Sequence, residues 1–180
     1  MILNIHGFNS NGNNRNYNFL KTEYPNREII SPTFNYSGEN PYNILNSLQN
    51  YIILYRELEK PINLVVGSSI GGFFAYCLCA MYDVKTILIN PSLMPFINLF
   101  TKYNTSQVIC KKYIEIFNKY IYLPDSSKFE IIISNNDEII NHDSITKTVI
   151  GNGKYINIVE GTHKMELTDE VKDIIRNIIK

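Results

Sequence analysis

The pentapeptide GSSIG at residues 67–71 has the Gly-x-Ser-x-Gly spacing of a nucleophile elbow. In such an elbow the serine occupies a strained turn between a strand and a helix, where crowding requires small residues two positions to either side. The frame selects Ser69, because Ser68 would need small residues where the bulky Val66 and Ile70 stand. Ser69 is therefore the candidate nucleophile.

A serine hydroxyl is a weak nucleophile at neutral pH, so an imidazole must accept its proton and a carboxylate must orient that imidazole. Asp137 and His163 supply these groups later in the chain, each just after an apolar run. Glu138 adjoins Asp137, but successive residues of an extended turn point apart, so only one of the two can reach the histidine. Serine, carboxylate and histidine in this order predict nucleophilic acyl transfer.

These residues can act together only if the fold brings them to one place, and the apolar pattern predicts how it does so. Six runs have the character of buried strands: Ile2–Ile5, Glu28–Ser31, Ile62–Val66, Thr86–Ile89, Phe129–Ile133 and Tyr155–Val159. Such strands alternating with helices form an α/β fold with a parallel sheet covered on both faces. Sites in these sheets lie at the carboxyl ends of the strands, where Ser69, Asp137 and His163 all fall.

Helical spacing fills the segments between the strands. The predicted helices lie around Tyr17–Tyr24, from the cap residue Asn40 to Leu58, over Gly71–Tyr82, over Val108–Tyr120, over Asp143–Val149 and after the cap residue Thr168. No composition shift marks a boundary, and 180 residues are too few for two ordinary domains. The chain is thus predicted to form a single domain over residues 1–180.

Acyl transfer also needs N–H groups that stabilise an oxyanion. The helix after Ser69 directs its free N–H groups toward the serine, so the N–H of Ile70 is one expected donor. The other is expected in the loop after the first strand, most simply the N–H of Phe8. His6 is expected to shape that loop, and His142 is expected at the surface or as a helix cap.

Composition argues against several other classes of protein. The 17 basic and 17 acidic residues give no net charge, which removes the electrostatic argument for a nucleic-acid partner. No apolar run approaches the roughly 20 residues of a membrane span, and no basic leader precedes the first strand, so a cytoplasmic location is expected. The three cysteines and three histidines show no metal or redox spacing. No cofactor is expected, and Cys77 and Cys79, which fall inside an apolar helix pattern, are expected to be small buried side chains.

Five stretches of the sequence resemble the α/β-hydrolases, and among them the small bacterial YqiA-like (UPF0227) esterases. They are ILNIHGFNS, LVVGSSIGGFFA, INPS, NNDEII and EGTHKME, which occur in order along essentially the whole chain. The resemblance implies Ser69 as nucleophile, Asp137 as acid in preference to Glu138, and His163 as base. Compared with larger α/β-hydrolases, the six predicted strands lack the first two strands of the sheet, and the segment Leu93–Phe100 is too short for a full cap domain.

The activity implied is cleavage of a small-molecule carboxylic ester or acyl thioester through an acyl-enzyme intermediate. A non-catalytic binding protein or an acyltransferase on the same scaffold is the alternative, because a fold does not determine a function. Leu93–Phe100 forms either an apolar flap over the acyl pocket or part of the core. The sequence defines neither the acyl chain nor the oligomeric state.

Overall fold

The computed structural model describes residues 1–120, 128–144, 146 and 156–179 of the chain. Its elements are β1 (Ile2–Ile5), α1 (Arg15–Glu23), β2 (Ile29–Ile30), α2 (Pro41–Glu57), β3 (Leu64–Ser68), α3 (Ile70–Tyr82), β4 (Lys85–Ile89), α4 (Pro95–Thr101), α5 (Gln107–Tyr120), β5 (Phe129–Ser134), β6 (Ile156–Val159) and α6 (Asp169–Ile179). The six predicted strands are all present, and five predicted helices correspond to α1, α2, α3, α5 and α6. Most of the helix predicted over Asp143–Val149 lies outside the described residues.

The six strands form one open sheet in the order β2-β1-β3-β4-β5-β6, and every neighbouring pair is parallel. This arrangement confirms the predicted α/β fold with a parallel sheet. The strand order changes direction at β1, which lies between β2 and β3, and ligands of such sheets bind in the crevice beside this point. The loops after β1 and β3 therefore meet at the edge of the sheet where a site is expected.

Helices cover both faces of the sheet, as the continuous apolar strands predict. Successive side chains of a strand point to opposite faces, so Val65 belongs to one buried cluster while Leu64 and Val66 belong to the other. Helices α2, α3 and α5 pack in the first cluster, and α1 and α6 pack in the second. The two clusters hold the sheet rigidly between helical layers.

The ends of the helices follow the capping signals in the sequence. The Asn40 side chain accepts a hydrogen bond from the N–H of Tyr42 at 3.1 Å, and Pro41 occupies the first turn of α2. Thr168 Oγ1 accepts from the N–H of Val171 at the start of α6. Among the helices described, none has both the length and the apolar character needed to cross a membrane.

The central helix α3 is apolar on nearly all sides and buried from Ile70 to Cys79. It packs against β1, β3 and β4 and under α2 and α5. Cys77 and Cys79 on this helix are buried thiols, as expected, and Cys110 on α5 is buried as well. A helix enclosed in this way fixes the position of its first turn, and that turn carries the candidate nucleophile.

Candidate active site

Ser69 joins the end of β3 to the start of α3 in a strained backbone conformation, with φ 51° and ψ −122°. A positive φ is unfavourable for any residue with a Cβ, so the surrounding structure must hold the turn in place. The N–H of Ser69 donates to the carbonyl of Ile89 at 3.0 Å, and its carbonyl accepts from the N–H of Ser92 at 2.9 Å. Both peptide groups of the turn are thus anchored to the β4 side of the sheet.

The glycines around Ser69 are required by close contacts of the backbone. A Cβ added at Gly71 would lie 2.3 Å from the carbonyl oxygen of Ile5 and 2.4 Å from that of His6. A Cβ added at Gly67 would lie 2.5 Å from the carbonyl oxygen of Gly71 and 2.6 Å from Ala75 Cβ. The first turn of α3 therefore rests directly on the carboxyl end of β1, which explains the spacing of small residues in the motif.

We expect Gly71→Ala to destabilise the protein severely. The added methyl group would press on the backbone carbonyls of Ile5 and His6, which cannot move without displacing β1. The expected loss in the free energy of unfolding is about 3 kcal/mol or more. Urea denaturation followed by circular dichroism measures it.

Gly38→Ala is the matched control, because its added Cβ would meet only the exposed side chain of Asn35, 2.6 Å from Nδ2. That side chain can rotate away, so a loss of stability below about 1 kcal/mol is expected. A Gly71→Ala protein as stable as this control would contradict the proposed contact between α3 and β1.

The three residues selected from the sequence form a continuous chain of hydrogen bonds. His163 Nε2 lies 2.9 Å from Ser69 Oγ, and His163 Nδ1 lies 2.8 Å from Asp137 Oδ2. Asp137 lies in the loop after β5 and His163 in the loop after β6, so parallel strands bring them to the same edge. Because Nδ1 faces a carboxylate, it carries the ring hydrogen, and Nε2 is free to accept the serine proton.

Asp137 is an almost completely buried carboxylate, with its side chain 1% exposed. Its Oδ1 accepts from the N–H groups of Ile139 and Ile140, both at 2.8 Å, while Oδ2 accepts from His163 and His142. Burial raises the pKa of Asp137, but hydrogen bonds from His142, His163 and the N–H of Ile140 outweigh it and hold the pKa well below its usual range. The side chain is therefore ionised at neutral pH.

His142 lies inside the protein, so the expectation of a surface or capping histidine was wrong. Its side chain is 6% exposed, and its Nε2 lies 2.8 Å from Asp137 Oδ2. Its Nδ1 lies 2.7 Å from the hydroxyl of Thr146. The chain after Asp137 folds back on itself and brings His142 under the carboxylate, which no spacing rule for isolated residues indicates.

Glu138 has a different role from the neighbouring Asp137. Its Oε2 accepts a hydrogen bond from the backbone N–H of His163 at 2.9 Å, and chiefly for this reason its pKa is lowered. Asp137 reaches the imidazole ring instead. Adjacent carboxylates of one turn thus hold the side chain and the backbone of the same histidine.

Asn90, at the end of β4, is a buried residue that the sequence pattern marks only as the end of a strand. Its Oδ1 accepts from the N–H of Ser134 at 2.7 Å, and its Nδ2 donates to the carbonyls of Thr162 at 3.1 Å and His163 at 3.0 Å. These hydrogen bonds hold the backbone around His163 against the end of β4. In the sequence, the Asn-Pro pair after an apolar run is the only pattern that marks Asn90.

The loop after β1 is held from inside by His6. The His6 ring donates from Nδ1 to the carbonyl of Gly7 at 2.7 Å and accepts at Nε2 from the N–H of Phe34 at 2.9 Å. Burial lowers the pKa of His6. These bonds agree with the expected role of His6 in shaping the loop that presents Phe8.

Phe8 and Ile70 both face the cleft that contains Ser69. Ile70 is the first residue of α3, so its N–H has no partner within the helix. A Cβ added at Gly7 would lie 3.1 Å from Ser69 Cβ, which places the loop before Phe8 directly against the serine. Phe8 and Ile70 accordingly line the same cleft as Ser69.

The cleft has a volume of about 580 Å³ and is lined by both polar and apolar residues. Polar lining residues come from the asparagine-rich segment 9–16, which includes the start of α1, and from Lys164. The apolar lining includes Phe8, Leu99, Tyr103, Ile139 and Ile140. Within the described residues, no group of three or more His, Cys, Asp or Glu side chains is arranged to hold a metal ion.

The segment Leu93–Phe100 packs largely in the core and reaches the cleft at α4. Leu93 is completely buried in the core, and the ring of Phe96 on α4 packs against Phe117 of α5 at 5.6 Å between centroids. Leu99 lines the cleft, whereas Phe100 is 51% exposed. One turn of α4 therefore borders the site while the rest of the segment packs in the protein.

An open parallel sheet between helical layers, with a serine elbow after β3, defines the class of protein as the α/β-hydrolase fold. The chain belongs to the family described as Uncharacterised protein family (UPF0227), whose model matches residues 1–179. The UPF0227 protein YcfP of Escherichia coli is 25% identical over 174 residues, which cover 92% of this chain and 91% of YcfP. The resemblance noted from the sequence is therefore confirmed at the level of the family.

Solved structures show the same fold at low sequence identity. Est1E from Butyrivibrio proteoclasticus superposes with a TM-score of 0.72 and 15% identity, covering 99% of this chain and 87% of Est1E. The Pyrococcus furiosus esterase PF2001 gives a TM-score of 0.68 and 13% identity, covering 99% of this chain and 80% of the esterase. These similarities establish the architecture in which the site lies.

Proposed function

We propose that the protein is a serine hydrolase that cleaves carboxylic esters or acyl thioesters through an acyl-enzyme intermediate. The observation that carries the proposal is the unbroken chain of hydrogen bonds from Ser69 Oγ through the His163 ring to Asp137. It lies at a strained elbow beside a cleft, where a substrate carbonyl has access to the hydroxyl. Activated nucleophiles are recognised by this geometry.

In the acylation step, Ser69 Oγ attacks the acyl carbonyl carbon while His163 Nε2 takes the hydroxyl proton. The ionised Asp137 stabilises the imidazolium that forms. The N–H groups of Phe8 and Ile70 are the proposed donors to the oxyanion. His163 then gives its proton to the leaving alcohol or thiol, and the acyl group stays on the serine.

In the deacylation step, water replaces the leaving group. His163 takes a proton from the water, the resulting hydroxide equivalent attacks the acyl-serine ester, and the proton returns to Ser69 as the carboxylic acid departs. Every proton and charge in the two steps is handled by side chains and N–H groups of this chain. The mechanism therefore uses no metal ion or cofactor.

The walls of the cleft support a small-molecule acyl substrate. Leu99, Ile139 and Ile140 offer an apolar surface to an acyl chain, while the polar segment 9–16 offers hydrogen bonds to the rest of the molecule. The names of similar structures also support a substrate of this kind, since PF2001 is called an esterase.

A pure binding protein is less well supported, because binding alone needs neither the base nor the acid. An acyltransferase would differ only in the acceptor that takes the place of water.

A fluorophosphonate probe tests the proposal, because it phosphonylates only an activated serine. We expect stoichiometric labelling of the wild-type protein, with peptide fragmentation placing the adduct on Ser69. Failure to label a folded protein, or an adduct on Ser68, would contradict the assignment. A series of esters and thioesters of increasing chain length then shows which type of bond and which acyl length the protein cleaves fastest.

A further inference from the structure

We propose that His142 is a positioning residue of the active site, which holds the Asp137 carboxylate in the orientation that His163 requires. The inference rests on the proposed function and adds a fourth side chain to its machinery. His142 does not touch the substrate or Ser69. It acts through Asp137, on the oxygen that also binds His163.

The first support is the choice of atom. His142 Nε2 and His163 Nδ1 both lie 2.8 Å from the same oxygen, Asp137 Oδ2. Oδ1 already accepts from the N–H groups of Ile139 and Ile140, so Oδ2 is the oxygen that both histidines share. Two imidazole donors on one oxygen occupy both of its acceptor directions, so His142 restricts the direction in which Oδ2 can serve His163.

The second support is that the carboxylate is completely satisfied by the protein. Two N–H groups bind Oδ1 and two imidazoles bind Oδ2, and the side chain is 1% exposed. Without His142, the backbone donors of Ile139 and Ile140 would still fix Oδ1. Oδ2 would then accept a hydrogen bond only from His163. It could move toward the space that the His142 ring had filled, and the hydrogen bond that orients His163 would lengthen.

The third support is that His142 is itself oriented. Its Nε2 faces a carboxylate and therefore carries a hydrogen, and its Nδ1 lies 2.7 Å from the hydroxyl of Thr146. Thr146 is fully buried, and the ring of His142 is 6% exposed. Contacts on both ring nitrogens thus fix the orientation of His142 toward Asp137.

The test compares His142→Gln with His142→Leu. Glutamine can place its amide N–H near the position of the histidine Nε2 and keep the bond to Asp137, whereas leucine fills the space without a donor. We expect His142→Leu to lower kcat about 10- to 100-fold with KM within about twofold of wild type. We expect His142→Gln to recover kcat to within about threefold of wild type.

Two further variants keep the test decisive. His142→Asn has an amide too short to reach Oδ2, so it should behave like His142→Leu even if the leucine protein does not fold. Thr86→Val is the stability control, because it removes a buried hydrogen bond to the carbonyl of Val84 at the other end of β4. It should lower the Tm and leave kcat unchanged, and thermal melts of every variant show that each is folded at the assay temperature.

The rate of fluorophosphonate labelling gives a second readout that needs no known substrate. It should fall in His142→Leu and His142→Asn and recover in His142→Gln. Full-rate labelling and turnover in folded His142→Leu or His142→Asn would overturn the positioning role, as would His142→Gln being as slow as either. A wild-type protein that takes no label would overturn the proposed function itself, so the two failures are distinguishable.

Discussion

Ser69→Ala should lower kcat for ester or thioester hydrolysis about a millionfold, to the level left by binding and oxyanion stabilisation alone. The substitution removes the atom that would carry the acyl group, so no other side chain of the site can replace it. Alanine keeps the Cβ, and the strained elbow with φ 51° is expected to form as before. Steady-state kinetics on the best substrate of the chain-length series, with intact-mass analysis of the probe reaction, measures the effect.

Ser68→Ala is the matched control for this prediction. The two serines are adjacent, but His163 Nε2 lies 2.9 Å from Ser69 Oγ and the motif frame selects the second serine. We expect Ser68→Ala to retain most of its activity and to take the label. Activity of Ser69→Ala above about one hundredth of wild type would show that another nucleophile carries the reaction.

Asp137→Asn should lower kcat about ten-thousandfold, by analogy with loss of the acid from other serine triads. The carboxylate accepts four hydrogen bonds, two at each oxygen. An amide has only one oxygen. In either orientation, therefore, its NH₂ group faces two groups that donate hydrogen bonds to the carboxylate in the wild-type protein. If the NH₂ group faces His163, the ring must carry its hydrogen on Nε2 and can no longer accept the proton of Ser69.

Measurement of kcat and of the free energy of unfolding checks the prediction for Asp137→Asn, since the mismatched amide should also destabilise the loop after β5. Glu138→Gln is the control. Its amide oxygen can still accept the backbone N–H of His163, so kcat within a few fold of wild type is expected. If Asp137→Asn lost less than about tenfold in kcat, the carboxylate would not be the acid of the site.

The fold was predictable because its strands are buried on both faces and read as continuous apolar runs. Ser69, Asp137 and His163 could be selected because parallel topology gathers the carboxyl ends of strands at one edge. The preference for Asp137 over Glu138 needed the family resemblance, because alternation alone shows only that the two side chains diverge. Strand β2 is shorter than predicted, Ile29–Ile30 in place of Glu28–Ser31, as suits an edge strand with one partner.

The remaining features of the site were not predictable for a physical reason. Asn90 and His142 act through side-chain contacts whose direction depends on the path of loops in three dimensions. A histidine next to polar residues has the same sequence pattern whether it caps a helix or lies under a carboxylate. Only the position of the carboxylate distinguishes these cases, and that position depends on the folded turn after β5.

The close contact that Gly71 permits between α3 and β1 also bears on how the proposed site would stabilise an oxyanion. Phe8 follows β1 and Ile70 opens α3, so this contact couples the two segments that carry the proposed oxyanion donors. We expect the separation of these donors to be set largely when the chain folds. The charge that develops on the carbonyl oxygen would meet dipoles that are already aligned, so the barrier contains little reorganisation of the protein.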